Sequence, residues 1–416
     1  MEVLAVGMAL DTNGQKYRYA EAAKRWGRDP DVLRALIAGK DDLAGIGGRY
    51  AAASADAEGL VIRSAHKAEA YFEFPYDIKW SPRTDGEVRR LAAEADVLHL
   101  TNDVKPYFWL RQARVRKPAL LHHHGTLFRN NPERLLSEAR RLHLVQAVST
   151  IDLLRFAPDE LEWLPAAYDL DALEAIRTTY RRPPDGRVLV ASAPTNREIK
   201  STDALEAAVR QLQEEGLPVD LLLITGRTWA ECLPAKARAD IYFDQVKLGY
   251  GCNAIEAWGM DMPVIAGADD WTLAAMRREF GSEALPFMVA TETSIADALR
   301  ALVVSAPQRR HYAERGLAHA RRFHAEKPAL IRLAKLYRRA IRRMAERPAD
   351  ASVEDEFPLT PGTFRTSRPR THVVLGNQTI TLREGVDVVI ATPRTAQRMR
   401  RVARYQPEHG ISEVFV

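Results

Sequence analysis

The chain has 416 residues, 46% of them hydrophobic and 28% charged, an ordinary globular composition with length for two or three domains. That excludes a disordered, collagen-like or coiled-coil array, and the only two cysteines, Cys232 and Cys252, exclude a disulfide scaffold and fit a reducing cytoplasm. Sixty basic against 55 acidic residues leave +5, a mild excess whose distribution matters more than its size.

In chain order, residues 3–10 form an apolar run that meets Asp11 without a basic flank, so they read as a buried strand rather than a leader. A turn with Asn13 and Gly14 follows, then a helix over 17–26. Strands are predicted at 59–63, 96–100, 118–122 and 144–149, with helices at 85–95 and 132–143. This alternation predicts a parallel sheet covered by helices on both faces. A linker at 180–186, with two adjacent prolines, ends the first half.

The rhythm restarts with strands at 188–192, 219–225, 239–243 and 263–266 and helices at 202–215 and 253–260. Residues 307–347 read as one or two very basic helices with an apolar stripe of Leu330, Leu333, Leu336, Tyr337 and Ile341. An acidic, proline-containing linker leads into a tail of small α+β type, with strands near 372–375 and 386–390 and a basic helix at 395–405. No stretch approaches the roughly 18 apolar residues that span a bilayer. The expected location is cytoplasmic, or peripheral to a membrane.

Ligands of paired α/β halves bind at the carboxyl ends of strands, so candidate residues should follow strands. The segment Ala193-Pro-Thr-Asn-Arg197-Glu-Ile-Lys200 lies between a strand and a helix, and an Arg fork beside a Lys point charge suits a diphosphate. By itself it reads better as a solvated loop with two ordinary surface charges. Residues 244–265 are more specific. Gly249 and Gly251 allow close backbone approach, and the helix starting near Asn253 offers free N–H groups and a positive dipole end to an anion. Glu256, one turn on, can accept two ribose hydroxyls.

His122, His123 and His124 stand in a row. Alternation on a strand prevents all three from ligating one ion, and no Cys or carboxylate cluster accompanies them, so no metal is expected. His124, before Gly125, is the site candidate as a neutral imidazole; the other two read as core histidines.

These stretches resemble GT-B-fold glycosyltransferases, most closely glycosyltransferase family 4. The likeness rests on 193–202, 239–245 and 249–265 in the second half, and on His124-Gly-Thr-Leu-Phe-Arg129 and Leu164-Pro-Ala-Ala-Tyr-Asp169 in the first. It covers about residues 1–345. It implies two Rossmann-like domains facing across a cleft: an acceptor domain over 1–180 and a nucleotide-sugar donor domain over 181–306. Bracing helices over 307–347, a linker over 348–362 and a tail domain over 363–416 complete the expected layout.

The resemblance implies a retaining, metal-independent transferase with no cofactor beyond its nucleotide-sugar donor. Arg197, Lys200, Gly14 and Asn253 would hold the diphosphate. Glu256, Gly251 and Cys252 would hold the ribose and nucleotide. His124 and Glu256 would be the catalytic pair, and Asn13 and Arg129 would face the acceptor or sugar. Three positions depart from the family: Leu248 stands for the first acid of a Glu-x7-Glu pair, Ser201 for a Gly after the Lys, and Ala166 for an Asn after Leu-Pro. The donor sugar is therefore not carried over. The acceptor is open among protein, glycan, lipid and nucleic acid, with docking through the basic tail. The alternatives are another GT-B enzyme such as a sugar-nucleotide epimerase, or an inactive GT-B-like binding protein.

Overall fold

The computed structural model describes residues 15–27, 31–68, 71–111, 117–346, 362–375, 378–384, 386–391, 393–405 and 409–414. The expected strand at 3–10 and the turn with Asn13 and Gly14 lie outside these residues. The chain forms two compact units, Met1–Met344 and Ala345–Val416.

In the first unit a helix at 15–27 precedes strand β1, Leu33–Gly39. Then come β2 (Leu60–His66), β3 (Ile78–Lys79), β4 (Val97–Thr101), β5 (Ala119–His123), β6 (Val145–Val148) and β7 (Leu161–Trp163). They build one sheet in the order β3-β2-β1-β4-β5-β6-β7. Every pairing is parallel. The strands are nearly continuous in burial, as expected for a sheet with helices on both faces. Sequence alternation identified β2, β4, β5 and β6. It did not identify β1, the strand at which the order reverses.

The second half carries β8 (Val188–Ser192), β9 (Val219–Leu223), β10 (Ile241–Gln245), β11 (Leu248–Gly249), β12 (Val264–Ala268) and β13 (Met288–Val289). Their order is β11-β12-β10-β8-β9, with β13 also on β12. Only β11 runs antiparallel. Helices Thr202–Glu214 and Ile295–Val304 pack Leu205, Val209, Leu212, Leu299 and Leu302 on one face of this sheet.

Between the halves, helix Leu170–Tyr180 ends the first and β8 opens the second. Helix Ala306–His319 runs through a single π turn, Ala320–His324, into helix Glu326–Ala345. That last helix returns to the first half. It buries Leu330, Leu333, Leu336 and Tyr337, and the Tyr337 hydroxyl meets His99 Nδ1 at 2.9 Å. Its apolar stripe is core and most of its arginines face outward. One hydrophobic cluster runs through both halves and this helix, so they are a single body.

The second unit has β14 (Gly362–Thr366), β15 (Arg370–Leu375), β16 (Gln378–Arg383), β17 (Val388–Ile390) and β18 (Ile411–Val414). β14 lies between β17 and β18, and β15 and β16 form an antiparallel hairpin. Helix Pro393–Tyr405 buries Ala396 and Met399 against Phe364, Val373, Leu382 and Ile411. Among the described residues no helix is long and apolar enough to cross a membrane.

Candidate functional site

The carboxyl end of β10 and the start of helix Cys252–Gly259 come together as the sequence order implies. Asp244, fully buried near the end of β10, accepts the Lys200 ammonium at 2.5 Å on Oδ1 and the Gly251 amide at 2.6 Å on Oδ2. Lys200 arrives from the loop after β8. A Cβ at Gly251 would stand 3.9 Å from its Nζ, so the ammonium sits over the start of the helix, where the dipole and the first amides are already positive. Ser201, next in the chain, adopts a left-handed φ of 48° and donates to Glu292. Glycine takes that conformation at least cost, so Ser201 holds a strained backbone position.

Arg197 is not brought to this point. It is half exposed and lies along helix Thr202–Glu214, paired with Asp203 at 2.5 Å and Glu206 at 2.7 Å. Asn253 is drawn inward instead: its Oδ1 accepts from Lys236 at 2.7 Å, and its Nδ2 donates to the Ala193 carbonyl at 3.4 Å. The Cys252 thiol is raised above its ordinary value by burial. Its carbonyl accepts from the Tyr168 hydroxyl at 3.5 Å.

Glu256 is the most heavily engaged residue of the site. Oε2 accepts from the fully buried Lys236 at 2.5 Å. Oε1 accepts from Trp229 Nε1 at 2.8 Å and from Arg49 at 3.3 Å. Burial alone would raise its carboxyl, but the charges of Lys236 and Arg49 and the hydrogen bonds hold it below its usual value. Lys236 is raised in return: burial opposes its charge, and Glu256 outweighs burial. Sequence reasoning missed Lys236, Trp229 and Arg49. Their only signal would have been a Lys and a Trp in a helix preceding β10, which does not announce a partner 20 residues away.

Arg49 crosses from the first half. It follows Gly45-Ile46-Gly47-Gly48, a turn and helix start whose Gly47 and Gly48 amides are held by the Asp42 carboxylate at 2.8 and 2.9 Å. Its guanidinium lies 4.1 Å over the Tyr168 ring and 5.1 and 5.2 Å from the Trp229 and Phe74 rings. Phe74 and Trp229 also meet at 5.4 Å. The halves are thus closed on each other here. A cavity of about 30 Å³ remains beside Arg49, Tyr168 and Trp229, room for water rather than a nucleotide.

At the carboxyl edge of the first sheet, His124 caps the short helix Gly125–Asn130. Burial, then His123 and His66, lower its imidazole to about 3, so it is neutral at physiological pH. Its ring lies 4.1 Å from that of His122, which in turn lies 5.3 Å from His99. His123 is a core residue, stacked on Phe128 and bonded through Nε2 to Gln146 at 2.9 Å. His122 is fully buried, and neither ring nitrogen has a hydrogen-bond partner among the described residues. Arg129 pairs with the buried Asp152 at 2.7 Å. Among the described residues no group of three or more His, Cys, Asp or Glu is arranged to hold a metal ion.

No protein-family model matches the chain, and no curated protein matches its sequence. Solved structures do match. Anabaena HepE, in complex with UDP and glucose, is 12% identical over 73% of this chain and 98% of its own, with a TM-score of 0.50. A glycosyltransferase from Rickettsia africae ESF-5 is 10% identical over 75% and 99%, TM-score 0.49. A UDP-GlcNAc 2-epimerase from Neisseria meningitidis, bound to UDP-GlcNAc, is 11% identical over 74% and 100%, TM-score 0.43. At these identities the likeness concerns the fold. With the two parallel sheets it establishes a GT-B-like architecture of two Rossmann-like halves, followed by a small α+β tail.

Proposed function

We propose that the chain is a glycosyltransferase moving a sugar from a nucleoside-diphosphate donor, with UDP-sugars the first class to try because HepE was solved with UDP and glucose. The observation that carries this reading is the Lys200–Asp244–Gly251 knot at the start of helix Cys252–Gly259. A diphosphate arriving there meets an ammonium, free helix amides and a positive dipole end. Such a cradle stabilises the nucleoside diphosphate without a metal ion as its bond to the anomeric carbon breaks, while an acceptor hydroxyl forms the new bond to that carbon on the same face and gives its proton to the departing phosphate. A retaining, metal-independent reaction is part of the proposal.

Glu256 takes the ribose only by exchanging a partner. Lys236 and Trp229 belong to the same half and stay. Arg49 belongs to the other half, so separating the halves frees one acceptor position on Oε1 and enlarges the cavity beside it. The neutral His124 remains the hydrogen-bonding group proposed for the sugar side. Asn13 and Gly14 keep their proposed roles, and Arg197 joins only by leaving Asp203 and Glu206.

The test is product analysis with a panel of nucleotide sugars. Lys200→Ala should abolish sugar transfer while circular dichroism stays unchanged. Unchanged turnover in that variant would sink the reading. A donor rearranged without any acceptor would establish the epimerase instead.

A further inference from the structure

The last 55 residues contain nine arginines and no lysine against four acids, whereas the rest of the chain holds 51 basic and 51 acidic residues. The whole net charge therefore equals that of residues 362–416. Part of it is used internally: Arg365 pairs with Asp387, and the buried Arg400 pairs with Glu413. Arg400, one of the basic residues of the tail helix, is thus a structural residue and not surface.

The hairpin β15–β16 carries the rest. Its inner face buries Thr371, Val373, Leu375 and Leu382. Its outer face presents Arg370, His372 and Val374 opposite Arg383, Thr381 and Thr379. Arg370 and Arg383 are direct cross-strand partners. Like charges in that position repel and weaken the ladder. Neither has a side-chain partner among the described residues, and neither does the exposed Arg368 two residues before Arg370. A bound anion would turn this repulsion into a two-armed clamp.

We propose that this face binds the phosphodiester backbone of a single-stranded nucleic acid. Two guanidinium forks suit a phosphate better than a single carboxylate. Arg370 and His372 lie about 7 Å apart on one face of β15, with Arg368 in the bend just before the strand, so successive phosphates can be met along it. Thr379, Thr381 and His372 add hydrogen-bonding groups. A membrane is the poorer occupant, because among the described residues Val374 is the only apolar one on this face and no large aromatic accompanies it.

The experiment is fluorescence anisotropy of a labelled mixed-sequence RNA of about 20 nucleotides with the full chain, at salt from about 50 to 200 mM. The wild type should bind, more weakly as salt rises. In Arg370→Gln/Arg383→Gln the slope of log affinity against log salt should be about 0.7 shallower, the share of the one phosphate that the two forks clamp. Its melting temperature should not fall, since a repulsion has been removed. Arg370→Lys/Arg383→Lys, which keeps the charge, should retain binding. No binding by the wild type at low salt, an unchanged slope in the double Gln variant, or binding to phosphatidylserine vesicles but not to RNA would each overturn the proposal. UDP binding should be unaffected in every variant, which separates this result from the donor-site reading.

Discussion

Glu256 shows how a single carboxylate can be structural and available at once. Its partner Lys236 has no exposed side-chain surface, so each charge is tolerated because the other offsets it. Removing one partner is expected to cost far more than removing both. Glu256→Gln should destabilise the body by about 3–5 kcal/mol in denaturant unfolding, because Lys236 is left charged and buried. Adding Lys236→Met should restore much of that loss. If the double variant is as unstable as the single, the cost lies in packing and not in charge. The neutral His124 belongs to the same scale: the role proposed for it needs an imidazole without a proton, and burial provides that.

At the level of elements, the second half was the legible one. There each strand leads through a short loop into a helix, so Lys200 and the start of helix Cys252–Gly259 could be placed from order alone. The first half hid its central strand. In Leu33–Gly39 the charged Arg34 interrupts the apolar run, while the longer run at 3–10 drew attention to itself. Strands of two or three residues, such as β3, β11 and β13, are too short to show a period. The partners of Glu256 come from two separate segments, the helix Trp229–Lys236 and the turn before Arg49, and only tertiary packing brings them together.

The helix Ala306–His319 is legible in its basic surface but not in its tightest contact, where Gly316 lies flat against the Trp258 ring. A Cβ at Gly316 would overlap that ring, which is fully buried and packed on Tyr250 and His319. Gly316→Ala should therefore cost about 1–3 kcal/mol despite the better helix propensity of alanine. A neutral or stabilising result would mean that helix and ring can separate.

For the whole molecule, the buried histidines set the response to acid. His99 and His124 are lowered to about 3 and His123 and His324 to about 4, in each case chiefly by burial. The unfolded chain titrates near 6.5, so below that pH it binds protons that the folded body refuses. The stabilisation is complete above about pH 6.5 and declines as pH falls toward 3–4. A single such group costs about 2 kcal/mol at pH 5. The denaturant midpoint should drop steadily between pH 7 and 5; a flat profile would show that the histidines find protonated partners.

The account as a whole rests on a nucleoside diphosphate seated at Lys200 and the start of helix Cys252–Gly259. Titration calorimetry of UDP against the wild type and Lys200→Ala measures that directly. The expected result is saturable binding by the wild type, weakened at least about tenfold, or about 1.4 kcal/mol, in the variant. Equal affinity in the two proteins would contradict it.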